Sequence, residues 1–185
     1  MKRKKNNKVW DALTQKQSEY LIQAGWFENS KYDNGAPVGG VAAVQNYGAV
    51  INQNVTEKQR KVLMLLGIFL KKTTTTLNIV IPPTHFMENC QKENKEKWRK
   101  LIQDAWKSVF LGNIEPDKAM EMIAMQIEGD LVKSFVAVNE PPLSLLTIEG
   151  KKRPYKDQKT VGNLTKRLSG TGQMLNAISH EVTKK

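Results

Sequence analysis

Two histidines, one cysteine and a scatter of carboxylates are what this chain offers to acid–base, nucleophilic or metal chemistry. His85 follows Pro82-Pro83-Thr84 at a predicted helix start, a place for a neutral packing or capping ring rather than for proton transfer. His180 lies far away, on the polar face of a predicted strand. Cys90 stands at helix spacing from Phe86 and Met87, which predicts a buried structural thiol rather than a nucleophile. Asp104, Glu115, Asp117, Glu121, Glu128 and Asp130 make no close acid pair beside an apolar pocket, and they read as solvated helix faces. Lys92, Lys95, Lys97, Arg99 and Lys100 alternate with Glu93 and Glu96, the pattern of surface ion pairs three and four residues apart. The sequence has no cysteine pair, no His-x-x-x-His and no acidic loop of EF-hand type. Its Gly39-Gly40 and Gly170-Thr171-Gly172 lack the strand–loop–helix setting with Lys-Ser/Thr that holds a phosphate. No catalytic, cofactor-binding or metal-binding residue is assigned, no cofactor is expected, and the chain reads as a non-enzyme.

Charge points instead to surfaces. Lys and Arg number 29 against 18 Asp and Glu, a formal net charge of +11 over 185 residues, which favours an acidic partner such as nucleic acid, a membrane or an acidic protein face. The candidate partner-binding residues are Lys2, Arg3, Lys4 and Lys5 in the basic start, and Lys151, Lys152, Arg153, Lys166 and Arg167 in a loop rich in Lys, Gly and Thr. The single cysteine excludes an internal disulfide and suits a reducing compartment. No apolar segment of signal-peptide type follows the basic start, and the longest apolar run, Val62–Leu70, is too short to cross a bilayer. The expected place is a cytoplasm, or a particle assembled there.

These residues need elements to hold them. Leu77-Asn78-Ile79-Val80-Ile81 reads as a strand, and Pro82 and Pro83 stop it because neither donates a ladder hydrogen bond. Thr84 is the expected cap of the helix that follows, and Pro82, Pro83, Thr84 and Phe86 form a structural joint. Trp98, Leu101, Ile102, Ala105, Trp106, Val109 and Phe110 then recur at helical spacing until Gly112. A second helix starts at Pro116, with a stripe of Ala119, Ile123, Ile127, Leu131, Phe135 and Val138, and the short connection makes it antiparallel to the first. Upstream, Tyr20–Phe27 reads as a strand with helix as the competitor. Val38–Ala49 reads as a helix from Gly40 to Gly48 with Val41, Val44 and Gln45 on one face, or as a strand with a glycine bulge. Thr56 caps a helix from Glu57 to about Gly67, and Asn176–Thr183 alternates as a closing strand. Trp10–Gln17 reads as a short helix. The expected fold is α+β: a small antiparallel sheet packed against two long antiparallel helices, with a basic N-terminal arm and a long C-terminal loop. The expected division is 1–17 arm and short helix, 18–140 core, 141–172 extended docking loop, and 173–185 closing strand and basic tail.

Three segments in this order carry a resemblance. The first runs from Gly25-Trp26-Phe27 through Asp33-Asn34-Gly35 to Gln45-Asn46-Tyr47-Gly48-Ala49. The second joins Val55-Thr56-Glu57-Lys58 to Ile79-Val80-Ile81-Pro82-Pro83-Thr84-His85-Phe86. The third takes in Pro141-Pro142-Leu143-Ser144, Thr147-Ile148 and Leu168 to Leu175. Together they resemble the phage virion morphogenesis family, the Mu-like tail completion proteins, and more loosely the tail-component neck proteins. The joint carries Thr84-His85 where that family has Arg-Pro, and Gly170 stands where an Asp precedes Thr-Gly. The resemblance implies a structural virion protein of the head–tail neck, made in the host cytoplasm and acting by assembly. It implies a homo-oligomeric ring, hexameric to match a sixfold tail tube, with the portal-side connector and tail tube or terminator proteins as partners. Non-specific contact with packaged DNA and no membrane contact complete that expectation.

Overall fold

The computed structural model describes residues 19–65, 67–144, 147–148, 152, 167–168 and 172–185. In chain order they form β1 (Tyr20–Gly25), α1 (Val38–Tyr47), β2 (Ala49–Asn54), α2 (Glu57–Leu65), β3 (Thr76–Ile81), α3 (Phe86–Phe110), α4 (Pro116–Ala137), α5 (Gln173–Asn176) and β4 (Ser179–Lys184). The fold is mixed α+β, built on the two long helices.

Helices α3 and α4 form an antiparallel hairpin because each carries one apolar stripe that water excludes. The contacts fix the direction. Ser134 Oγ donates to Phe86 O at 2.8 Å, Trp98 Nε1 donates to Asp130 at 3.0 Å, and Trp106 packs on Ala119, Met120 and Ile123. Gly112, at φ 75°, turns the chain after α3, and Pro116 enters α4 at its first turn, where a missing N–H costs nothing. One end of the hairpin buries Phe86, Cys90, Leu131 and Phe135 with Val38 and Ala42 of α1. There Trp26, Phe86 and Phe135 meet edge-on or tilted, with ring centroids 5.3–5.9 Å apart. The other end buries Trp106 under Tyr20, Ile22 and Val182.

The strands do not form the single small sheet expected. Among the described residues, β1 pairs only with β4, antiparallel from Tyr20↔Lys184 to Gly25↔Ser179, and β2 only with β3, from Ala49↔Ile81 to Asn54↔Thr76. The first ladder lies on α4, where Ile22 and Val182 reach the core. Among the described residues, the second makes no comparable packing on the helices of the hairpin. Strand β2 itself was not legible, because Asn52, Gln53 and Asn54 break the apolar alternation. The first strand ends at Gly25 rather than at Phe27, and α1 begins at Val38 rather than Gly40. Its buried face is Val38, Ala42 and Asn46, not Val41, Val44 and Gln45. Thr56 caps α2 as expected, in a reciprocal box: Gln59 N donates to Thr56 Oγ1 at 3.2 Å and Thr56 N to Gln59 Oε1 at 2.9 Å. The closing strand starts at Ser179, and the residues before it make the single helical turn α5. Trp10–Gln17 and most of the 141–172 loop lie outside the described residues.

Candidate functional site: the joint and the arm

The joint at Pro82–Phe86 is capped from outside its own helix. Thr84 does not cap α3. The N-cap position is His85, in the left-handed region at φ 52°, and Thr84 Oγ1 donates to Gln45 O at 2.8 Å instead. The cap comes from Asn46, the penultimate residue of α1, which is 0% exposed. Its Oδ1 accepts from Met87 N at 3.0 Å, and its Nδ2 donates to both carboxylate oxygens of Glu88 at 3.0 and 2.9 Å. Its carbonyl accepts from the amides of Thr84 and His85. A buried amide with every donor and acceptor used is rigid, because losing any partner leaves a desolvated polar group. The sequence signal was available: Asn46 continues the Val38–Ala42 stripe at four-residue spacing, and a polar residue on an apolar stripe requires partners. Gly48 completes the weld. At φ 77° its missing Cβ would sit 2.8 Å from Ile81 O and 3.0 Å from Pro83.

Of the carboxylates expected to be solvated, Asp104 and Glu115 are exposed, whereas Asp117, Glu121, Glu128 and Asp130 make contacts along α4. Asp130 is 3% exposed and accepts from Lys97 Nζ at 2.6 Å, Trp98 Nε1 at 3.0 Å and Gln126 Nε2 at 3.1 Å. Burial pushes its carboxyl up, but the bonds from Lys97, Trp98 and Gln126 and the charge of Lys97 together hold it below its ordinary value. Lys97 therefore bridges the two long helices rather than pairing along its own, while Arg99–Glu96 is a surface pair of the expected kind. His180 faces α4, not solvent. Nε2 meets Glu121 at 2.8 Å and Nδ1 meets Glu128 at 2.5 Å, and the hydrogen bonds to Glu121 and then Glu128 raise its pKa. Lys184 and Tyr20 both bond to Asp117, which lowers the pKa of that carboxyl. These contacts staple β4 and β1 to α4. Cys90 is buried, as expected, and burial pushes its thiol up.

The predicted partner-binding cations divide. Lys2, Arg3, Lys4, Lys5, Lys151, Arg153 and Lys166 lie outside the described residues, and Lys152 is exposed. Arg167 is not presented to a partner. It is 7% exposed, its Nη1 donates to Pro82 O at 3.4 Å, and burial lowers its pKa. It braces the joint.

The surface that reads as functional is an arm, residues 49–81, made of β2, α2 and β3. None of its described residues is buried. Its exposed large hydrophobics are Val50, Ile51, Val62, Met64, Leu65, Phe69, Ile79 and Val80, with Phe69 at 79% and Leu65 at 68%. Lys58, Arg60, Lys61, Lys71 and Lys72 are its cations, and no acid stands between Lys58 and Met87. Arg60 ties the arm's outer turn together, donating to Lys71 O at 2.9 Å and Thr74 O at 2.6 Å.

Among the described residues, no cluster of His, Cys, Asp or Glu has metal-binding geometry, and no helix is long and apolar enough to cross a membrane. Comparison with protein-family profiles, with curated proteins and with solved structures finds no match to this chain.

Proposed function

We propose that this chain is a structural protein of a phage head–tail neck, which assembles into a homo-oligomeric ring between the connector and the tail tube. It works by fitting surfaces rather than by turnover. The observation that carries the reading is the arm, whose eight large hydrophobics are 40% to 79% exposed among the described residues. A protein made for assembly keeps such a surface for its neighbours. The three-segment resemblance to the Mu-like tail completion proteins supplies the kind of assembly, with a hexamer matching the symmetry of a tail tube. The rigid joint supports it further, since a ring subunit must present its arm at a reproducible angle. Electron microscopy of the purified chain, and of phage particles lacking it, tests the proposal. Rings of the purified chain, and tailless heads or unjoined tails without it, are the expected images. A chain that stays monomeric and is dispensable for joining would overturn the reading.

A second reading, a small nucleic-acid-binding module, draws on the acid-free run from Lys58 to Met87. Duplex binding measured across salt separates the two: tight binding by the monomer with a steep salt slope favours this second reading.

A further inference from the structure

A groove runs along the edge of β1 that faces away from β4. Its two lobes enclose about 460 Å³ and 320 Å³ and share Ala24, Tyr47 and Met87 in their walls. The larger lobe lies between the chain from Gln23 to Phe27 and Gly39, Ala43 and Tyr47 of α1; the smaller continues along α3 from Met87 to Trp98, with Ile127 and Leu131 of α4 at its floor, and no lining residue belongs to β4. This outer edge of β1 pairs with no strand among the described residues. The extended stretch that lines the groove, Gln23 to Phe27, is about 16 Å long at the strand rise, room for roughly five residues of an added strand.

The arm matches that groove in three respects. Its strands β2 and β3 have six residues each, and their outer edges pair with no strand among the described residues. Val50 and Val80, an opposed pair on one face of the ribbon, are 63% and 64% exposed. The charged residue lining the groove is Glu88, whereas every charge from Lys58 to Lys72 on the arm is positive. The arm cannot reach the groove of its own chain. Its base is clamped where the Thr84 and His85 amides bond to Asn46 O and Gly48 packs on Ile81 O, so folding back would break the joint.

We infer that the β2–β3 ribbon of one copy lies in the β1–α3 groove of the next, adding strands to its β1–β4 sheet. Arm and groove are different surfaces, so the contact is head-to-tail and repeats into a ring or filament. The inference rests on the self-assembly part of the proposed function and not on a place in a virion.

Mixing two single variants of the full chain tests it. Val80→Lys damages the arm and Tyr47→Lys the groove; both positions are more than 60% exposed, and melting by circular dichroism confirms that each variant folds. Sedimentation should show wild type associated and each variant alone monomeric, with its dissociation constant raised roughly tenfold or more. An equimolar mixture should form a dimer, because one intact arm then meets one intact groove. Variants that associate like wild type would overturn the inference and leave assembly through another surface standing. A wild type that stays monomeric would overturn both. Monomeric wild type that binds anionic vesicles or duplex DNA, and loses that binding with Val80→Lys, would reassign the arm to lipid or nucleic acid.

Discussion

Asn46 illustrates how much one side chain can organise. It replaces the local cap of α3 with a cap delivered from another helix, and so fixes the angle between them. Asn46→Ala should lower the unfolding free energy by about 1–3 kcal/mol, the cost of orphaning buried partners, as read by urea denaturation. Asp130 gives a prediction with a pH sign. Its folded pKa is depressed, so its contribution is present above about pH 3.9 and is lost as pH falls through the folded value. Asp130→Asn should cost about 1–3 kcal/mol near neutral pH and progressively less in acid. His180 has the opposite sign. Its folded pKa is raised by Glu121 and Glu128, so its contribution is fully present below about pH 6.5 and fades as pH rises through the folded value. The stability difference between wild type and His180→Gln should shrink on the alkaline side, in urea melts taken across pH. A constant difference would mean that the ring holds β4 by packing alone.

At the scale of elements, the helix hairpin carries the fold. Trp106 is buried between α3, α4 and the strand residues above them, so Trp106→Ala should cost about 3–5 kcal/mol. The base of the β2–β3 ribbon, where Gly48 meets Ile81 and Pro83, is closely fitted. Gly48→Ala must strain a left-handed backbone and push a methyl group against Ile81 O, for a loss of about 1–3 kcal/mol in thermal or urea unfolding. The β1–β4 ladder is tied to α4 by ion pairs at its rim and by Ile22 and Val182 inside, so high salt should weaken the rim and leave the apolar contact.

Among the described residues, the molecule is a body of helices and the β1–β4 ladder with an arm at 49–81. Because Ala49 pairs with Ile81, the arm can be replaced by a short Gly-Asn turn without moving the ends it leaves. The armless chain should fold, since no described residue between 49 and 81 is buried, and it should no longer self-associate. Circular dichroism and sedimentation report the two outcomes separately. An armless chain that fails to fold would show that the arm supports the body as well as projecting from it.

What the sequence by itself determined is what depends on near neighbours. The two long helices follow from three- and four-residue spacing, their ends from Gly112 and Pro116, and the start of α2 from Thr56 and Gln59. Those signals act within a turn or two of chain, where backbone geometry leaves few choices. Only the tertiary structure decided the rest. Asn46 meets Met87, Asp130 meets Lys97 and His180 meets Glu128 across large separations in sequence, and a carboxylate reads the same in a list of residues whether water or a tryptophan faces it. The division of one expected sheet into two ladders has the same origin. Strand propensity says that β3 will pair, but the hydrogen bonds that choose its neighbour form between segments, and burial elsewhere in the chain selects among them.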